Sequence, residues 1–317
     1  MKISFLDGYT INPGDLTWKT LEACGELTIY DRTAPADIIK NARDADVVIV
    51  NKVVLTDEHF AALPQLKLVC VAATGYDRID TAAARKRGIT VCNCAGYSSR
   101  SVAQIVTSLL LEVADSVGSY TLRNHEGDWC RSVDFCYTIK PRFELVDKRM
   151  AIVGFGNIGQ SVATIMQALG LKVFAVTGRP QSDLPADIEK IDLQKAFSTC
   201  DIVSLNCPLN ASNKEFVNAE LLAKSNPNLI LINTARGGLI NEDDVATALR
   251  TGQLRAYCTD ALTQEPPHPN NPIINAPNTY ITPHIGWNTP EARQRILAII
   301  ADNIRAYEAG TPKSVVN

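Results

Sequence analysis

Short apolar runs alternate with helical stripes through the first hundred residues. Residues 3–6, 27–30, 47–50, 66–71 and 89–92 are rich in Val, Ile and Leu, and they lack the in-and-out alternation of a half-solvated strand. Between them, near 36–43, 58–62 and 80–86, apolar positions recur at helical spacing. This succession predicts a parallel sheet covered on both faces. Pro35 suits a helix start, where its missing N–H costs nothing, and Gly88 suits a helix stop.

After Gly96 the pattern changes. Residues 101–112 form a long helical stripe placed to carry the chain from one domain to the next. The stretch 121–148, with His125, Trp129, Phe135 and Tyr137, has no clean period; it reads as an ordered excursion, either a surface loop or a dimer contact anchored by its aromatics. From residue 151 the alternation resumes, with strands predicted at 151–153, 172–176, 201–205, 229–233, 256–259 and 279–281. A helix over 243–250 has Gly252 just beyond it, and a last helix over 290–307 is placed to return to the first domain. The chain's 317 residues exceed what one core usually needs, so two doubly wound domains with a ligand cleft between them are expected.

One strand-to-helix junction carries a motif. Met150-Ala151-Ile152-Val153 runs into Gly154-Phe155-Gly156-Asn157-Ile158-Gly159, a G-x-G-x-x-G with an apolar strand before it and a helical stripe after it. Gly154 permits the sharp turn, Gly156 lets the backbone approach a pyrophosphate, and Gly159 allows close helix-to-strand packing. The phosphates would sit at the helix N-terminus, where unpaired N–H groups point outward. A dinucleotide is the expected cofactor.

Composition narrows the partners. A net charge of -3 gives no attraction to nucleic acid or to an anionic membrane, so an anionic substrate would need cations supplied by the site. No run approaches about 18 apolar residues, so no membrane span is expected. The first eight residues read as a strand rather than a signal peptide. Nine cysteines, an odd number without metal-ligand spacing, read as reduced thiols of a cytoplasmic protein that binds no metal.

Three polar residues each follow an apolar strand: Arg236, Glu265 and His284. In open α/β sheets functional residues collect at the carboxyl ends of strands. An arginine can hold a carboxylate bidentately, a histidine exchanges protons near neutral pH, and a neighbouring glutamate fixes its tautomer. Taken singly they have plainer readings: a surface cation, a residue opening the Pro266-Pro267 turn, a satisfied histidine beside a proline. Together with a dinucleotide site they suit hydride transfer at a carbon bearing oxygen next to a carboxylate.

Thr234-Ala235-Arg236-Gly237-Gly238-Leu239-Ile240-Asn241, Asp260-Ala261-Leu262-Thr263-Gln264-Glu265-Pro266-Pro267 and Thr282-Pro283-His284-Ile285-Gly286-Trp287 resemble the signature blocks of the D-isomer-specific 2-hydroxyacid dehydrogenases. The resemblance implies an α/β fold in which a Rossmann cofactor domain (99–288) is inserted into a flavodoxin-like substrate-binding domain (1–98 plus 289–317). It also implies a homodimer. By the same resemblance His284 is the acid/base, Glu265 its partner, and Arg236 the holder of the substrate carboxylate. Asp260 then meets the nicotinamide amide, unless it is simply a turn cap; Thr234, Ala235 and Gly286 join it as cofactor contacts, and Asn206-Cys207-Pro208 lies under the cofactor, with Asn where many relatives have His. Thr74 and Gly75 belong to a loop whose backbone N–H groups embrace the substrate carboxylate.

The segment after the second cofactor-domain strand departs from the family pattern. Thr177-Gly178-Arg179 stands where most members place an acidic residue on the adenine ribose, so NAD is the cofactor implied and NADP stays open. Residues 5–8, 31–35 and 45–53, with Trp287, most resemble the glycerate dehydrogenase or hydroxypyruvate reductase branch. That branch implies reduction of hydroxypyruvate to D-glycerate, with Lys52 and Trp287 lining the pocket; a solvent-facing Lys52 and a packing Trp287 are the alternative. The alternative functions are a dehydrogenase for glyoxylate or D-lactate and a non-catalytic, NAD(H)-sensing protein-binding module.

Overall fold

The computed structural model describes all 317 residues. Contacts divide them into two compact units, Met1–Ser98 with Trp287–Asn317, and Ser99–Gly286. The return to the first unit therefore begins at Trp287, two residues before the expected 289.

The first unit opens with β1 (Lys2–Phe5), α1 (Lys19–Glu22), β2 (Glu26–Ile29), α2 (Ile38–Ala42), β3 (Val47–Val50), α3 (Asp57–Ala62), β4 (Leu68–Val71), α4 (Thr81–Lys86) and β5 (Thr90–Cys92). The strands form one parallel sheet in the order β2-β1-β3-β4-β5. Every residue of β3 and β4 is buried, which is why both read as unbroken apolar runs. α1 is a single turn burying only Leu21, too short to show a period.

In the second unit come α5 (Ser99–Asp115), α6 (Val117–His125), β6 (Arg149–Val153), α7 (Asn157–Ala168), β7 (Lys172–Val176), β8 (Glu189–Lys190), α8 (Leu193–Thr199), β9 (Ile202–Leu205), α9 (Ala219–Ala223), β10 (Ile230–Asn233), α10 (Glu242–Thr251), β11 (Ala256–Thr259) and β12 (Thr279–Ile281). All seven strands are parallel, in the order β12-β11-β10-β9-β6-β7-β8. Counted within the unit this is the Rossmann order with one strand added, and its switch point lies between β6 and β9. α5 belongs wholly to this unit. α6 falls where no period was legible because it buries none of its residues. β8 also went unread: both its residues are exposed, and only backbone pairing with Phe174 and Ala175 makes it a strand.

α11 (Pro290–Glu308) completes the first unit. Its Ala292, Ile296, Ile300 and Ile304 pack with Ile3, Phe5, Ile49 and Cys70 on one face of the first sheet. Beyond it, Val315 bridges Cys92 in antiparallel fashion and Asn317 accepts from Val91 N at 2.9 Å, so the last residues cover the β5 edge.

Candidate active site

At the switch point the three glycines of the motif differ in what surrounds them. Gly154 has φ +93, and a Cβ there would lie 2.6 Å from Cys207 N. At Gly159 a Cβ would strike the carbonyl of Gly154. Nothing lies within 4 Å of where a Gly156 Cβ would stand, at the first turn of α7, whose N-terminus no side chain caps. Open space in front of unpaired N–H groups is what a pyrophosphate requires.

A cavity of about 930 Å³, large enough for a nucleotide, opens beside this turn. Its walls include Gly154, Val176, Thr177, Gly178, Lys190, Asp192, Cys207 and Phe216. Asn206 and Thr234, following β9 and β10, each keep a buried side-chain oxygen without a hydrogen-bond partner. Buried acceptors and hydroxyls are rarely left so, and a bound polar ligand would satisfy them. These features fit a dinucleotide. Burial pushes the Cys207 thiol above its ordinary range, so it lines the wall as a neutral group.

Arg236, Glu265 and His284 follow β10, β11 and β12, three neighbours in the sheet. His284 Nδ1 lies 2.7 Å from Glu265 Oε2. The other carboxylate oxygen, Oε1, accepts from Leu262 N at 3.0 Å, which fixes the glutamate against its own turn. His284 has φ 56, a left-handed backbone uncommon for a residue with a Cβ, and its N–H donates to Thr282 O at 3.0 Å.

Asp260, only 4% exposed, holds that backbone in place. Its Oδ1 accepts from Thr282 Oγ1 at 2.6 Å and Ile285 N at 2.8 Å, and its Oδ2 accepts from Gly286 N at 2.8 Å. A carboxylate offers about four acceptor positions, so one remains for a further donor. On the neighbouring strand, buried Asn233 braces the Arg236 turn: Oδ1 accepts from Ala235 N at 3.1 Å and Nδ2 donates to Arg236 O at 2.9 Å. Gly237 abuts the Leu262–Thr263 backbone so closely that no Cβ fits, which seats the arginine turn against the one that ends in Glu265.

Thr177 is half-buried, Gly178 and Arg179 are exposed, and all three follow β7. Lys52, Thr74, Gly75 and Trp287 belong to the first unit. Lys52 is exposed and donates its backbone N–H to Asp7 Oδ2 at 2.6 Å; Thr74 Oγ1 donates to Cys94 O at 3.0 Å; Trp287 packs against the first core. Two further residues have roles that the sequence does not mark. Asp7 accepts from the backbone N–H groups of Asn51, Lys52 and Val53, and an acid just after an apolar strand was its only signal. Lys190 lines the cavity from β8, which has no apolar signature.

A Rossmann sheet with a glycine-walled cavity at its switch point is the framework of an NAD(P)-dependent oxidoreductase. Comparison with known proteins narrows the class. Residues 107–286 match the family described as D-isomer specific 2-hydroxyacid dehydrogenase, NAD binding domain. The chain is 40% identical to a hydroxypyruvate reductase of Blautia hydrogenotrophica, covering 100% of both chains. It is 35% identical to a glycerate dehydrogenase of Methylorubrum extorquens, over 99% of this chain and 98% of that one. Among solved structures, an acyclic imino acid reductase in complex with NADPH and D-Arg superposes with a TM-score of 0.88 at 29% identity, covering 100% of both. The chain belongs to the D-isomer specific 2-hydroxyacid dehydrogenase family, and within it to the glycerate dehydrogenase/hydroxypyruvate reductase branch.

Proposed function

We propose that this NAD(P)-dependent D-2-hydroxyacid dehydrogenase interconverts hydroxypyruvate and D-glycerate, with His284 as acid/base. The observation that carries the chemistry is the 2.7 Å pairing of His284 Nδ1 with Glu265 Oε2. With Nδ1–H held by the carboxylate, Nε2 is the nitrogen that exchanges a proton with the substrate oxygen on C2. Glu265 keeps the ring's tautomer and balances the positive charge that the imidazole carries whenever it holds the exchanged proton. Arg236 binds the substrate carboxylate and offsets negative charge as it grows on the C2 oxygen. When bound, the dinucleotide supplies or takes up the hydride.

The choice of hydroxypyruvate is supported by the names of the two full-length relatives. Glyoxylate is the second reading, supported by a glyoxylate reductase of Thermococcus litoralis at 30% identity over 94% of this chain. We assign substrate selection to the first unit, through Lys52, Thr74, Gly75 and Trp287. Its 2-1-3-4-5 strand order supports the flavodoxin-like description. We further propose a homodimer joined through the excursion after α5, supported by the exposure of Leu122 (68%), Trp129 (56%) and Phe135 (89%).

A steady-state screen of hydroxypyruvate, glyoxylate and pyruvate tests the substrate: a kcat/KM for hydroxypyruvate no better than for the other two would overturn it. His284→Ala tests the mechanism and is expected to lower kcat by about 10²–10⁴-fold with dinucleotide binding retained.

A further inference from the structure

We infer that the ribose end of the cavity is built for a 2′-phosphate, so that the chain prefers NADP(H) to the NAD(H) implied by the family resemblance; the inference rests on the dinucleotide-dependent reading of the same unit. In an NAD site a carboxylate after the second strand grips the two ribose hydroxyls and repels a phosphate. Here Val176 is followed by Thr177, Gly178 and Arg179, none of them acidic. Thr177 Oγ1 accepts from Arg179 N at 3.2 Å, which folds the segment into a tight turn. A Cβ on Gly178 would meet nothing within 4 Å, so the space at this turn is open.

Lys190 closes the other side. It lines the cavity from β8, and its Nζ donates to Arg179 O at 2.7 Å, tying the cation to the turn. The acids around it are already engaged. Glu189 is paired with Lys195 at 3.4 Å, and Asp192, the one carboxylate in the cavity wall, accepts from Lys195 N at 2.7 Å as the cap of α8. No salt bridge takes up Arg179 or Lys190, although Lys172 and Lys195 of the same unit are both paired.

The Lys190 ammonium in the cavity wall, the Thr177 hydroxyl and, one residue past the lining Gly178, the exposed Arg179 give the turn the charge and donors that the three acceptor oxygens of a phosphate monoester require. A ribose hydroxyl offers neither the charge nor the number of acceptors. Both cations are exposed, so they give up little hydration in binding, and salt should weaken the preference.

Titration of the intact protein with NADPH and NADH, read by nicotinamide fluorescence and by calorimetry, is expected to give a Kd at least about tenfold lower for NADPH. Adenosine 2′,5′-bisphosphate should displace either dinucleotide better than 5′-AMP does. The double variant Arg179→Ala/Lys190→Ala, at two exposed positions, should weaken NADPH alone and bring the two Kd values within about twofold. Thr177→Asp should invert the order. Tighter or equal binding of NADH by the unsubstituted protein, or equal weakening of both dinucleotides in the double variant, overturns the 2′-phosphate subsite and leaves the dehydrogenase reading standing. Binding of neither dinucleotide overturns both.

Discussion

Asp7 and Asp260 stand at matching places in two different sheets. Each comes just past the carboxyl end of a strand, β1 and β11, and each reaches the loop that follows the adjacent strand, β3 and β12. They hold those loops in different ways. Asp7 accepts from three consecutive backbone N–H groups, Asn51, Lys52 and Val53, at 2.7, 2.6 and 3.1 Å. Asp260 takes Thr282 on one side and Ile285 and Gly286 on the other, passing over His284. The first arrangement fixes a stretch of backbone as a block. The second clamps both flanks of one residue, so that His284 keeps its left-handed backbone and its ring stays beside Glu265.

If the clamp works through His284, its loss should have the largest kinetic consequence. Asp260→Ala leaves the buried Gly286 N–H without its partner and frees the loop; a fall in kcat of about 10²-fold is expected, the size of a small misplacement of a reacting group. A loss below about threefold would show that Asp260 does not act through His284. Asp260→Asn keeps one acceptor oxygen and should lie between the two.

Asp7→Ala should act on stability first. Removing the acceptor of three N–H groups, one from buried Asn51, is expected to cost about 2 kcal/mol in urea unfolding. KM should rise while kcat stays within about threefold, because no proposed proton-transfer group rides on that loop. A kcat loss matching that of Asp260→Ala would erase the distinction.

Glu265→Gln leaves the Asp260 clamp intact while removing the charge beside Nδ1. About a tenfold loss in kcat is expected. Its KM should stay close to that of the unsubstituted enzyme, since the carboxylate-holding Arg236 is untouched.

The smallest effect concerns pH. Burial pushes the Asp7 carboxyl above its ordinary value, and the three N–H groups and Lys52 pull it back only in part. A raised folded-state value means that the folded protein holds this proton more tightly than the unfolded chain. Asp7 therefore favours folding fully below its unfolded value, and the advantage fades as pH rises through the raised one. Unfolding titrations from about pH 4 upward should show a stability curve that rises less with pH than that of Asp7→Asn. The reverse order would remove desolvation as the leading cause.

Residues that announce themselves by pattern were legible in the sequence. β3, β9, β10 and β11 bury every residue, so their apolar runs mark them within a residue. The order Arg236, Glu265, His284 is that of three neighbouring strand ends. Hidden were features made by backbone alone. Lys190 reaches the Arg179 carbonyl through the two-residue pairing of β7 with β8, and neither residue of β8 is apolar. Asp7 works by accepting from main-chain N–H groups, which every residue but proline carries, so nothing in its neighbourhood marks the role, whereas Asp260, which the sequence does single out, also takes the Thr282 hydroxyl. The left-handed backbone of His284 is likewise silent, since His there has no glycine to betray it.

The split of the first unit also sets a timetable. Its five strands emerge from the ribosome first, yet α11 and the residues that cover the β5 edge come only after the whole of Ser99–Gly286. At about 5–20 residues per second, the first sheet waits on the order of ten seconds or more with one apolar face and one edge open, while the second unit is already continuous and able to close. A nascent chain held on the ribosome when Gly286 has just left the exit tunnel, with α11 still inside it, should therefore present a protease-resistant second unit joined to a digestible first one.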